Sequence, residues 1–92
     1  MKLVKYGRRD PNHGEIKQAL LACGCSVLDL ADTGNSIPDL LVGRHGRSFL
    51  LEVKSPTGKE KPGQTQAREA WRGGPWHVVR SVQEALKAVG IA

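Results

Sequence analysis

The stretch IPDLLVGRHGRSFLLEVK, Ile37 to Lys54, decides the fold. Two apolar runs, LLV and FLL, are separated by Gly-Arg-His-Gly-Arg. A His45-Gly46 tip tolerates positive φ, as a tight two-residue hairpin turn requires. Closing the hairpin there sets Arg44 opposite Arg47 and Asp39 opposite Glu52. Residues directly opposite on antiparallel strands share a face, with Cβ atoms ~4.5–5.5 Å apart. Strand side chains alternate with period two, so Lys54 joins Glu52 on that face and Val53 turns away. Two opposed carboxylates at the end of a buried hairpin are unfavourable by themselves. Either a hard divalent cation held by the carboxylates or an Asp–Lys–Glu ion cluster through Lys54 compensates them. The hairpin geometry leaves both open.

Working outward, Asn12 and Glu15 stand at capping-box spacing before Ile16, Ala19, Leu20 and Cys23, which recur on one helical face. This predicts a helix from about His13 to Cys23, stopped by Gly24. SVLDLA then reads as a strand, ADTGNSIP as a loop, DLLVG and RSFLLEVKS as the hairpin strands, and SPTGKEKPG as a polar loop. QTQAREAWRG reads as a second helix, with Pro62 near its start and Gly73-Gly74 ending it. WHVVRS is a fourth strand, and SVQEALKAVG a closing helix capped by Ser81 with Glu84. The fourth strand arrives through a helix, so it can run parallel to the third. The expected architecture is α/β, a mixed four-stranded sheet flanked by helices. The strand runs show little alternation, which predicts a sheet buried on both faces.

The 92 residues make one domain, 1–92, with residues 1–10 a basic N-terminal arm. A domain this small buries only about 60–65% of its unfolded surface, so its core is thin. Fourteen Lys and Arg against nine Asp and Glu leave a formal charge of +5, which favours a polyanionic partner. No run approaches the ~18 apolar residues of a membrane span, and the basic N-terminus lacks a signal peptide's apolar stretch. The expected setting is the cytoplasm. Cys23 and Cys25 are too few for a structural zinc site and read as two small buried thiols.

Pro38-Asp39 followed by Glu52-Val53-Lys54 resembles the motif of the PD-(D/E)XK nuclease superfamily. IPDLLVG, a short hairpin, LLEVKSP, a polar loop, Pro62-Gly63-Gln64 and AWRGGPWHVVRSVQEAL together resemble, more narrowly, the small VRR-NUC domains of the stand-alone, phage type. The resemblance runs from about Arg9 to Val89. It implies a restriction-endonuclease-like αβββαβ core and metal-dependent phosphodiester hydrolysis. It also implies that Asp39 and Glu52 ligate Mg²⁺ or Mn²⁺, that the Val53 carbonyl completes the shell, and that Glu15 is an additional ligand. Lys54 is expected to orient or deprotonate the attacking water and offset transition-state charge. Gln64, preferred over Gln66, is expected to hold the site or a DNA phosphate. These residue types suit the chemistry: a bound cation generates a nucleophile near neutral pH and relieves charge on the phosphate, and a lysine adds a donor where negative charge develops.

The remaining candidates are weaker. His13, His45 and His77 are scattered, and Trp71 and Trp76 fit a core or an interface better than a base-stacking platform. Lys2, Lys5, Arg8, Arg9, Lys59, Lys61, Arg68 and Arg72 could line a path for DNA. The expected protein is a structure-selective DNA endonuclease acting on duplex or branched DNA. Two copies would supply one site per strand, so a homodimer is expected, phage- or prophage-encoded in a bacterial host by resemblance. The alternatives are a non-catalytic nucleic-acid-binding module and a nuclease subunit that needs a partner.

Overall fold

The computed structural model describes residues 11–34 and 36–91; the basic arm at 1–10 lies outside them. The element order is α1 (His13–Ala22), β1 (Ser26–Asp29), β2 (Leu40–Arg44), β3 (Arg47–Val53), α2 (Pro62–Ala70), β4 (Trp76–Val79) and α3 (Val82–Ala88). The strands lie in the order β1-β2-β3-β4. The first two pairings are antiparallel and β3–β4 is parallel. This is the mixed α/β sheet the sequence predicts.

The hairpin turn closes where expected. Arg44 pairs with Arg47 and Leu40 with Leu51. His45 takes φ 51° and Gly46 φ 76°. Two successive positive-φ residues make the primed turn whose twist matches the flanking strands. The register turns Leu40, Val42, Phe49, Leu51 and Val53 to one face, where they meet Ile16, Leu20, Val79, Ala85 and Val89 in the core. Each fully buried aliphatic side chain contributes about 1.5–3 kcal/mol. The helices α1 and α3 pack on each other and against β1 and β4 respectively.

The sheet is not buried on both faces. Only the α1–α3 face is closed; α2 has no buried residue, and Leu28 on the other face is 60% exposed. Leu28, Leu41, Leu50 and Trp76 are paired in one row across all four strands. Continuous apolar runs therefore mark two different environments here, a closed core and a half-open face.

Three local expectations change. Asn12 stands at the start of α1 but makes no side-chain cap. Its Nδ2 instead donates to the carbonyls of Lys54 at 3.1 Å and Arg80 at 2.9 Å, sewing α1 to the ends of β3 and β4. The second helix stops at Ala70 because Trp71 adopts an extended backbone, with ψ 128°. Cys25 is buried but Cys23 is exposed, and both are free. At α3, Ser81 Oγ accepts from Glu84 N as predicted, while Glu84 Oε1 reaches back to Arg80 N. No helix among the described residues is long and apolar enough to cross a membrane.

Because Asn12 bridges two carbonyls far apart in sequence, Asn12→Ala is expected to destabilise the fold by about 1–3 kcal/mol. Urea denaturation of the two proteins measures this difference.

Candidate active site

The half-open face carries the acids. Two residues beyond Leu41 and Leu50 stand Asp39 and Glu52, just past the last rung of the β2–β3 ladder. Asp39 is fixed by its backbone and its side chain. Its carbonyl accepts from Leu30 N at 2.7 Å, and its Oδ2 accepts from Val53 N at 2.8 Å. The second bond replaces the ladder contact and ties Asp39 to the strand that carries Glu52.

Glu52 is only 2% exposed. Its two oxygens have different surroundings. Oε2 receives Gln64 Nε2 at 2.9 Å and lies 3.3 Å from Lys54 Nζ. Oε1 is buried with no hydrogen-bond partner. Burial pushes the Glu52 carboxyl up from 4.5 to about 7, and the charges of Asp39 and Glu60 add to the rise. Lys54 pulls the other way and does not cancel it. A buried carboxylate with one oxygen held and the other unsatisfied, beside a second carboxylate, is a donor set suited to a hard divalent cation. Asp39, Glu52 and the backbone of β3 are the groups that fit one; no cluster of three or more His, Cys, Asp or Glu forms a ready cage among the described residues.

Gln64 reaches Glu52 because of how α2 begins. Its Oε1 accepts from Lys61 N at 2.9 Å, capping the helix, which leaves Nε2 for Glu52. Gln66 is exposed. Glu15 is also exposed on the first turn of α1, and the partners of Glu52 come from β3 and α2 rather than from it. The histidines stand elsewhere. His13 is buried 3.5 Å from Asp29, His45 forms the turn, and His77 is exposed on β4.

Sequence reasoning missed Glu60. It takes Arg68 in a two-point ion pair, with Nε to Oε2 at 3.0 Å and Nη2 to Oε1 at 2.8 Å, and Thr65 Oγ1 at 3.0 Å. Chiefly through Arg68, its carboxyl is held below the usual range, with a smaller pull from Lys54. The available signal was the acid just before the helix, Glu60, with Arg68 two turns into it: an acid at a helix start faces the positive end of the helix dipole. Arg80, read only as part of a strand, donates through Nη1 to the carbonyls of Ser55 and Gly58 and pins the loop between β3 and α2.

The αβββαβα order and the mixed sheet with three helices define an α/β fold, with carboxylates gathered at the start of β2 and the end of β3. No family model matches the sequence, and no curated protein matches it. A solved structure does: a VRR_NUC domain matches with a TM-score of 0.65 and 27% identity, covering 87% of this chain and 96% of that one. The chain therefore has the fold of a VRR_NUC domain, a nuclease domain family.

The raised Glu52 carboxyl has a consequence for stability. Between pH 4.5 and about 7 the folded protein holds a proton there that the unfolded chain releases, so this group's contribution to stability falls as pH rises through that window. Glu52→Gln is expected to match wild type near pH 4.5 and to exceed it above pH 7 in chelator, by on the order of 3 kcal/mol. Thermal melts across that range measure the difference, and added Mn²⁺ should stabilise wild type but not the variant.

Proposed function

We propose that this chain is a divalent-metal-dependent DNA endonuclease that hydrolyses phosphodiester bonds, with selectivity for branched or junction DNA. The observation that carries the reading is the buried Glu52 carboxylate. Lys54 and Gln64 engage one oxygen, and the other has no partner beside Asp39. Asp39, Glu52 and the Val53 carbonyl would hold Mg²⁺ or Mn²⁺, with Glu15 as an outer ligand once substrate is bound. The cation supplies charge relief at the scissile phosphate and makes water a nucleophile near neutral pH.

The chain's own side chains do the rest. Asp39 is oriented by Val53 N–H. Gln64 is fixed by its contact with Lys61 N and so fixes the Glu52 carboxylate. Lys54 lies on the same face, nearly buried, where a cationic donor acts with little screening on charge developing at phosphorus. Overall, one water is consumed and one P–O ester bond breaks. The net charge of +5 suits the polyanionic substrate. Two copies would supply one site per strand, so we propose a homodimer acting in the cytoplasm.

The second reading is a binding module in which Lys54 and Glu52 form a structural ion pair, supported by their 3.3 Å approach. The buried Oε1 of Glu52, which Lys54 leaves without a hydrogen-bond partner, weighs against it.

With branched DNA and Mn²⁺, wild type is expected to cut, while Asp39→Ala and Lys54→Ala cut slower by on the order of 100-fold or more. Gel analysis of the products decides. Binding without cutting by any form, and without rescue by a partner such as a helicase, would establish the module instead.

A further inference from the structure

We propose that the apolar cavity beside the carboxylates binds one unpaired nucleobase of the DNA strand, with Trp71 as the stacking surface. The cavity holds about 270 Å³ and is lined by Leu41, Ser48, Leu50, Trp71, Gly74 and Pro75. Pockets for drug-sized ligands run from about 300 to 1,000 Å³, so this one accommodates little more than a single planar ring system.

Trp71 is 48% exposed, yet its indole is fixed within the chain. Nε1 donates to Gly74 O at 2.9 Å. Trp76 meets it edge-on, with ring centroids 6.0 Å apart and an interplanar angle of 78°. Gly73 lies so close that a Cβ there would stand 2.5 Å from Trp71 Cζ2. The rim is held as well, since Leu50 N donates to Pro75 O at 2.8 Å. An aromatic ring held this way meets a base without losing its own freedom, and base–aromatic stacking tolerates any sequence.

Position favours a base over a second protein copy. Leu41 and Leu50 are paired across β2 and β3; Asp39 precedes Leu41 by two residues and Glu52 follows Leu50 by two, about 6.6–6.8 Å of extended chain. A strand whose phosphate lies at the carboxylates therefore brings an adjacent base over the cavity. Arg72, exposed next to Trp71 in sequence, and the net charge of +5 suit a polyanion at this cavity. A base can enter only when unpaired, which would give the nuclease a preference for junctions and flaps. The alignment with the scissile phosphate rests on the nuclease reading; the base binding does not.

The test uses Trp76→Phe protein, which leaves Trp71 as the sole tryptophan. In chelator, oligothymidylate is titrated against an abasic strand of equal length and charge. Oligothymidylate is expected to quench Trp71 fluorescence and to bind roughly 5- to 150-fold tighter than the abasic strand. Measured by fluorescence anisotropy of labelled strands, Trp71→Ala and Gly73→Ala should lose that preference and keep the weaker, salt-dependent affinity. Trp71→Phe, which keeps a ring, should retain most of the preference. Equal affinities for the two strands would overturn the proposal. So would sedimentation showing a dimer that Trp71→Ala dissociates, because the cavity would then face a second copy. Base preference without cleavage would count against the nuclease reading alone; cleavage without base preference would count against this inference alone.

Discussion

The structure depends on one unfavourable placement: a glutamate carboxylate buried in the same small sheet that supplies the hydrophobic core. Taking a carboxylate out of water costs several kcal/mol unless charge or hydrogen bonds replace the water. At Glu52 the replacement is partial. Lys54 and Gln64 both address Oε2, and Asp39 adds like charge. The hairpin enforces this. A one-residue slip would turn Leu51 and Val53 out of the core along with moving Glu52, so the apolar face holds the acidic face in an arrangement it would not adopt alone.

A second consequence concerns α2. This helix contributes nothing to the buried core and is held by polar contacts: Gln64 to Glu52 and Arg68 with Thr65 to Glu60. The loop before it is pinned by Arg80 to the carbonyls of Ser55 and Gly58. Its position and the state of Glu52 are therefore coupled through the Gln64 amide and the charge of Glu60. The same helix leads into Trp71 and so borders both the carboxylates and the apolar cavity. The face left open by the thin core is where chemistry and recognition can meet.

The hairpin register was legible because a two-residue turn leaves no freedom: once His45 and Gly46 are placed, every pairing to Leu40–Leu51 follows. The element order was legible from helical spacing and turn residues. Gln64 was separable from Gln66 only by family resemblance, and the structure brings Gln64 to Glu52 through a helix cap that no periodicity specifies. Asn12 was misread because a residue at an N-cap position can serve distant carbonyls equally well, and that choice is tertiary. The open face escaped notice because Leu28, Leu41 and Leu50 have the same composition as buried strand residues. Exposure there depends on what α2 fails to cover.

The central claim is that the unsatisfied oxygen of Glu52 and the neighbouring Asp39 form a site for a divalent cation. Anomalous diffraction from a crystal soaked in Mn²⁺ tests it most directly. The account predicts a peak between the Asp39 and Glu52 carboxylates, within bonding distance of Glu52 Oε1. Density without such a peak, with Lys54 Nζ closing on both carboxylates, would contradict it.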